Sequence, residues 1–201
     1  MKTLHSMLLL LAALAPLPAA AENGFTLYGG WRASGTLDDD VGQRSVRLRD
    51  SGAASIALDL TYDASRQLQF FLSRQRTSLA VTPIGGGTLR LPVDVTYFHF
   101  GGTNFFDGPA GVGPYVAGGI GFTRLAPGLD GFESETRASL SVALGYALPL
   151  GSRLALRVEG RGYWTLVNSA GGLFCSGGCT VVIKGDTLQQ LEMLIGLALR
   201  F

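Results

Sequence analysis

The sequence predicts an all-β chain folded as an eight-stranded antiparallel up-and-down transmembrane β-barrel. Three observations carry that expectation. After Glu22 apolar and polar residues alternate with a period of two, the spacing of a strand with two unlike faces. The alternation falls into eight segments separated by Gly, Pro, Asp and Ser, and a closed bacterial membrane barrel needs an even number of strands. The chain is also more apolar than a water-soluble domain. Its mean hydropathy is +0.29 and 15% of its 201 residues are charged, against about 25% in a typical soluble domain.

The N-terminus reads as a cleaved export leader over residues 1–21. Lys2 and His5 form a short basic region, Met7 to Ala15 is apolar, Pro16 and Pro18 break the run, and Ala19-Ala20-Ala21 offers small residues for cleavage. The run is too short to span a bilayer as a helix, which takes about 20 residues. The barrel is then expected over residues 22–201. An exported barrel belongs in the cell outer membrane, reached through the periplasm. Without Lys2, 15 basic residues face 15 acidic ones. No basic patch suits nucleic acid.

The segments assign faces in turn. The first, near 25–34, sets Phe25, Leu27 and Trp31 toward lipid and Thr26, Tyr28, Arg32 and Ser34 inward. The second, near 53–62, turns Ile56, Leu58, Leu60 and Tyr62 outward and Ser55, Asp59 and Thr61 inward. The third, near 67–78, opposes Leu68, Phe70 and Leu72 to Gln69, Ser73 and Gln75. The fourth, near 91–100, reads as Val93, Val95 and Tyr97 outward, with Asp94 and Thr96 inward. The fifth, near 114–124, shows Val116, Ile120 and Phe122 against small residues. The sixth, near 134–148, opposes Leu140, Val142, Leu144, Tyr146 and Leu148 to Arg137, Ser139, Ser141 and Gly145. The seventh alternates Leu154, Leu156, Val158, Trp164 and Leu166 with Arg153, Arg157, Glu159, Arg161, Tyr163 and Thr165. The eighth, near 187–201, puts Leu191, Met193, Ile195, Leu197, Leu199 and Phe201 outward and Gln190, Glu192 and Arg200 inward.

Alternation alone also fits a soluble barrel with its apolar face inside. Strand length, the leader and the aromatics decide against that reading. Tyr62, Tyr97, Tyr146 and Phe201 collect at one end and Trp31 and Trp164 toward the other, as in paired interfacial girdles. Loops 35–52, 79–90, 125–133 and 167–186 are expected outside. Residues 63–66, 101–113 and 149–152 are expected as periplasmic turns, and long loops outside with short turns inside is the membrane-barrel pattern.

The expected lumen-lining set is Arg32, Asp59, Asp94, Arg137, Arg157, Glu159, Arg161, Glu192 and Arg200. An interior of eight strands holds side chains and little more, so these charges serve either as a salt-bridge plug or as the filter of a narrow pore. Arginines outnumber carboxylates in the set, a lean toward anions. Arg47 and Arg49 fit the inward face of an extended second strand, with Val46 and Leu48 outward. Arg44, Arg47 and Arg49 are alternatively placed to contact lipid phosphates, and Asp38-Asp39-Asp40 either to form a solvated loop tip or to bind a divalent cation that bridges lipopolysaccharide. Leu79, Val81, Ile84 and Leu89 either line an apolar mouth or extend the third and fourth strands.

No catalytic residue, metal site or cofactor is expected. The sole histidine after the leader, His99, falls on the lipid-facing parity at the periplasmic end, the wrong place for a base at the outer rim. Cys175 and Cys179 are expected to form a disulfide in an oxidising compartment. A metal would need further ligands that the neighbouring sequence lacks.

Two patches carry a family resemblance: Leu91-Pro92 through Tyr97-Phe98, and Pro114-Tyr115-Val116-Ala117-Gly118-Gly119-Ile120-Gly121. Together they resemble the middle of small eight-stranded outer-membrane barrels of the outer membrane protein W type. The ending Ile195-Gly196-Leu197-Ala198-Leu199-Arg200-Phe201 is similar to the terminal strand of such barrels. The resemblance implies recognition of that strand by the barrel-assembly machinery, and a monomer in contact with outer-membrane lipid and lipopolysaccharide is expected. It also implies passage of small apolar solutes. The alternative is a non-conducting barrel that stabilises the membrane or binds through its loops.

Overall fold

The computed structural model describes residues 23–39, 44–81, 89–128, 133–166, 172–175, 179–182 and 187–201, with the side chains of 36–47, 81, 89, 172–175 and 179–182 excepted. The leader, the side chains of Asp38 to Asp40, Arg44, Arg47, Val81, Ile84 and Leu89, and the cysteine side chains lie outside the described residues.

The strands are β1 (Gly24–Ser34), β2 (Thr36–Asp39), β3 (Arg44–Leu48), β4 (Ser51–Asp63), β5 (Arg66–Val81), β6 (Leu89–Phe105), β7 (Gly113–Pro127), β8 (Glu135–Pro149), β9 (Leu154–Leu166), β10 (Gly172–Cys175), β11 (Cys179–Val182) and β12 (Thr187–Arg200). Eight long strands, β1, β4 to β9 and β12, pair antiparallel in a closed ring, because β1 pairs with both β4 and β12. Closure leaves no sheet edge, the condition for burying a β-sheet in lipid.

The register fixes the stagger of the ring. Ser34 pairs Gln190, Gln190 pairs Tyr163, Tyr163 pairs Ser141, and Ser141 pairs Gly119. Gly119 pairs Gly101, Gly101 pairs Gln69, Gln69 pairs Asp59, and Asp59 pairs Gly24. One circuit therefore returns to β1 ten residues from its start, at Gly24 rather than Ser34. Such a stagger tilts the strands to about 35–45° and sets the width of the interior.

Both described termini lie at one end of the ring, where Asn23 and Phe201 exchange backbone hydrogen bonds of 3.0 and 2.9 Å. Turns at Ala64-Ser65, 106–112 and 150–153 share this turn end; the opposite, loop end carries the longer connections. The turn expected over 101–113 is shorter than that, because β6 continues to Phe105. Gly108, Gly111 and Gly113 adopt positive φ in and beside it, which lets the chain reverse there.

The outer wall is apolar. Leu27, Trp31, Phe98, Ile120, Phe122, Leu144, Leu191, Met193, Ile195 and Leu197 are each at least half exposed. Along β12 the outward run from Leu191 to Leu199 covers about 26 Å of strand, or roughly 20 Å of membrane at the tilt above. Tyr62, Tyr146 and Phe201 are exposed at the turn end and Trp31 near the loop end.

β6 departs from its expected phase. Val93, Val95, Tyr97 and His99 point inward and are buried, whereas Phe98 and Phe100 face out. Both faces of Val93 to Phe100 contain large apolar groups, so polarity at Asp94 alone misassigns the strand. The phenylalanines on the continuous strand decide it, since lipid accepts Phe98 and Phe100 while the lumen hydrogen-bonds Tyr97 and His99. Asp94 is accordingly on the outer surface, Tyr97 is no girdle residue, and His99 is not lipid-facing. The second segment also changes phase at its loop end. Leu48 is buried and Arg49 exposed, the reverse of expectation, because Arg49 and Asp50 interrupt the strand between β3 and β4. There β3 pairs with β5, Leu48 opposite Leu79, and β5 and β6 stay paired up to Val81 and Leu89.

The β1–β4 seam lapses at the same level. Arg32 pairs Ser51, and pairing resumes only at Thr36 with Arg47. Across the gap the Ser34 amide donates to Asp50 Oδ1 at 3.2 Å.

Candidate functional site

The inward positions of the eight strands form four layers between the turn end and the loop end. In the first, Arg157 on β9 donates through Nη1 to Asp59 Oδ2 at 2.5 Å and to Thr26 Oγ1 at 3.3 Å, and its guanidinium lies 4.6 Å from the Tyr115 ring centre. Gln69 Nε2 donates to Asp59 Oδ1 at 2.9 Å. Beneath this pair, a cavity of about 10 Å³ is lined by residues including Gly24, Gln67, Gly111 and Arg200, room for about one water molecule.

In the second layer Arg161 donates through Nε to Glu159 Oε1 at 2.7 Å, through Nη2 to Gln69 Oε1 at 2.7 Å and through Nη1 to Ser141 Oγ at 3.2 Å. Its guanidinium lies 3.9 Å from the Phe71 ring centre. Tyr115 links the two layers by donating to Glu159 Oε2 at 2.8 Å. The spacing of Arg157, Glu159 and Arg161 on one strand makes this possible, since alternate residues share a face.

The third layer centres on Arg32 and Glu192, 2.9 Å apart with neither side chain exposed. Ser73 and Tyr163 also hydrogen-bond within this group, to Arg32 and Glu192 respectively. Tyr97 and Tyr163 stack with centroids 4.1 Å apart, and the Arg32 guanidinium lies 4.8 and 4.9 Å from their centres. Arg32 Nε and Nη1 have no hydrogen-bond partner among the described residues; the electron-rich ring faces meet that side of the cation instead. Tyr97 donates to Gln190 Oε1 at 2.7 Å, and Gln190 Nε2 donates to Ser34 Oγ at 2.6 Å. His99 Nε2 lies 2.8 Å from Ser139 Oγ, a contact between β6 and β8 that sequence spacing could not reveal.

The fourth layer, at the loop end, is apolar. Leu48, Leu79, Val93, Val95, Leu125 and Leu188 are at most 3% exposed and form one cluster above the Arg32 layer. The sequence makes only part of this layer legible: Leu79 fits an apolar mouth, but the alternation turns Val93, Val95 and Leu48 toward lipid.

Six of the nine residues expected in the lumen thus meet as three ion pairs: Arg157 with Asp59, Arg161 with Glu159, and Arg32 with Glu192. Arg137 is at the mouth and half-buried, paired with Glu135 at 2.8 Å. Arg200 is at the turn-end rim, where Nη2 donates to the Gly151 carbonyl at 2.7 Å. Asp94 lies outside the lumen and pairs with Arg74 on the outer wall. The apparent excess of interior arginine disappears once each buried guanidinium is matched with a carboxylate. Pairing is the arrangement that offsets the several kcal/mol of desolvation per buried ion.

Several solved structures share this architecture. Neisserial surface protein A matches with a TM-score of 0.60 at 13% identity, over 90% of this chain and 99% of that one. The outer membrane protein OprG from Pseudomonas aeruginosa matches with a TM-score of 0.57 at 11% identity, over 89% and 96%. The outer membrane protein AlkL matches with 0.53 at 12% identity, over 93% and 95%. At these identities the likeness is one of fold. No curated protein sequence matches this chain. The family model of the outer membrane protein beta-barrel domain matches residues 6–201. With the closed antiparallel ring and its apolar outer wall, that match identifies the chain as a member of the outer membrane protein β-barrel domain family, integral to the outer membrane.

Proposed function

We propose that this barrel takes small apolar solutes into its loop-end mouth and sustains no water-filled axial pore. The observation that carries the reading is the apolar layer of Leu48, Leu79, Val93, Val95, Leu125 and Leu188, stacked on a charge-balanced polar plug. An apolar solute gains about 25 cal/mol per Å² on leaving water for such a layer. Going further along the axis requires it to separate Arg32 from Glu192. The lapse in the β1–β4 seam beside Leu48, latched by the Ser34–Asp50 hydrogen bond, offers a shorter way into the bilayer. The matched interior charges lend no support to an anion-selective pore.

The reading includes cleavage of the leader after residue 21, assembly through the β12 terminus, a monomeric barrel and a Cys175–Cys179 disulfide. It contains no catalytic step. Ser139 and His99 meet, but His99 Nδ1 has no partner among the described residues and the pair is sealed inside the barrel. The packed lumen favours one second reading, a non-conducting barrel that acts through its loops and wall.

Uptake of a radiolabelled short alkane by cells with and without the protein, alongside planar-bilayer recordings, tests the proposal. Faster uptake with no discrete conductance is the expected result. Discrete conductance steps overturn it in favour of an aqueous pore, and equal uptake overturns it in favour of the second reading.

A further inference from the structure

We infer that the outer wall of β5, β6 and β7 carries a binding site for the phosphorylated headgroup of an outer-leaflet glycolipid, that is, lipopolysaccharide. This rests on the membrane orientation of the proposed function, with the loop end outside, and not on solute passage. Leu72, Phe98 and Phe122 stand side by side across the three strands, paired in register and facing lipid. Two residues nearer the loop end the same columns hold Arg74, Thr96 and Arg124, again in register. Both arginines are exposed, as are Arg76 and Arg90 on the same wall. The change from aromatic to arginine within one step of the alternation marks the boundary between acyl chains and headgroups.

The charge is one-sided. Asp94 pairs with Arg74, and Arg124 Nη2 donates to Ser134 Oγ at 3.3 Å. No ion pair among the described residues engages Arg76, Arg90 or Arg124. Among the described residues, the outward positions near the loop end are uncharged on three other strands: Trp31 on β1, Trp164 on β9 and Leu191 on β12. A uniform interfacial belt would spread its cations around the circumference; here, among the described residues, they are gathered on three adjacent strands and at Arg49, whose amide bonds Ser78 of β5.

The partner must therefore present acyl chains to the aromatic row and several negative charges immediately above it. Phosphate monoesters on a glycolipid meet both demands, and the guanidinium fork binds two phosphate oxygens at once. Arg74 is held in place by Asp94, so it reaches the ligand with less freedom to lose. All the arginines are on strands rather than on loops, which gives the site a rigid base.

Purified full-length mature barrel in detergent, titrated with bisphosphorylated lipid A, tests the inference by native mass spectrometry. The variant Arg74→Gln/Arg76→Gln/Arg124→Gln is compared with Arg66→Gln/Arg153→Gln, which removes two turn-end arginines. An unboiled gel confirms that each is folded. The wild type and the turn-end variant are expected to bind alike, with the wall variant at least tenfold weaker, as losing charge-assisted hydrogen bonds implies. Dephosphorylated lipid A and phosphatidylglycerol are expected to bind the wild type about as weakly as lipid A binds the wall variant. Equal binding of lipid A by the wild type and the wall variant overturns the site. Equal binding of phosphatidylglycerol and lipid A by the wild type overturns the glycolipid assignment. Neither result bears on alkane uptake, so the two proposals fail separately.

Discussion

Arg32 of β1 and Glu192 of β12 form an ion pair of 2.9 Å with both side chains fully buried, 160 residues apart in sequence and adjacent across the seam that closes the barrel. The pair bridges the first and last strands, so it exists only in the closed ring. Removing one partner strands a charge among Tyr97, Tyr163 and Ser73. Arg32→Met and Glu192→Met should each destabilise the barrel by about 3–5 kcal/mol. The double replacement should recover much of that loss, since no uncompensated ion remains. Urea unfolding of refolded barrel in lipid vesicles checks both parts; additive losses in the double variant would contradict the pairing argument.

Two glycines of the β6–β7 seam leave no room for an extra atom. A Cβ at Gly121 would run into the Phe98 carbonyl oxygen and lie 2.9 Å from His99 Cα; a Cβ at Gly101 would run into the Gly118 carbonyl oxygen. Nothing lies within 4 Å of a Cβ at Gly29. Gly121→Ala should cost at least about 1–3 kcal/mol through overpacking and reduce the folded fraction on an unboiled gel. Gly29→Ala should be within about 0.5 kcal/mol of the wild type.

Polar substitution of the apolar mouth should separate solute entry from folding. Leu125→Asn/Leu188→Asn leaves the three ion pairs in place but puts amides into the layer above them. Alkane uptake should fall to near the level of cells lacking the protein, while heat-modifiable migration persists. Unchanged uptake would remove the mouth from the pathway.

The backbone of β10 and β11 sets Cys175 opposite Cys179 across a short hairpin. Protein isolated from the outer membrane should take up no thiol label before reduction and two equivalents after it. Because the hairpin lies outside the ring, reduction should leave the unfolding midpoint of the barrel unchanged. Labelling without reductant would show that the bridge is absent.

The sequence by itself determined the barrel. Period two, eight segments and an apolar excess specify a wall with lipid on one side and a polar interior on the other, and seven of the eight long strands keep the expected faces through the membrane. That information is local, because a side chain's face follows from its parity along one strand. β6 escaped it because both of its faces are rich in large apolar groups, so Asp94 outweighed Phe98 and Phe100. Tertiary structure decided which charges meet across the barrel. The stagger of ten residues around the ring brings Arg157 of β9 to Asp59 of β4, whereas Arg161 and Glu159, two residues apart, meet along the one strand β9. It also lifts Leu48, Val93 and Leu188 into one layer at the mouth and gathers Arg74, Arg76 and Arg124 on one wall. Register is a property of strand pairs and of closure, so no single strand's pattern contains it.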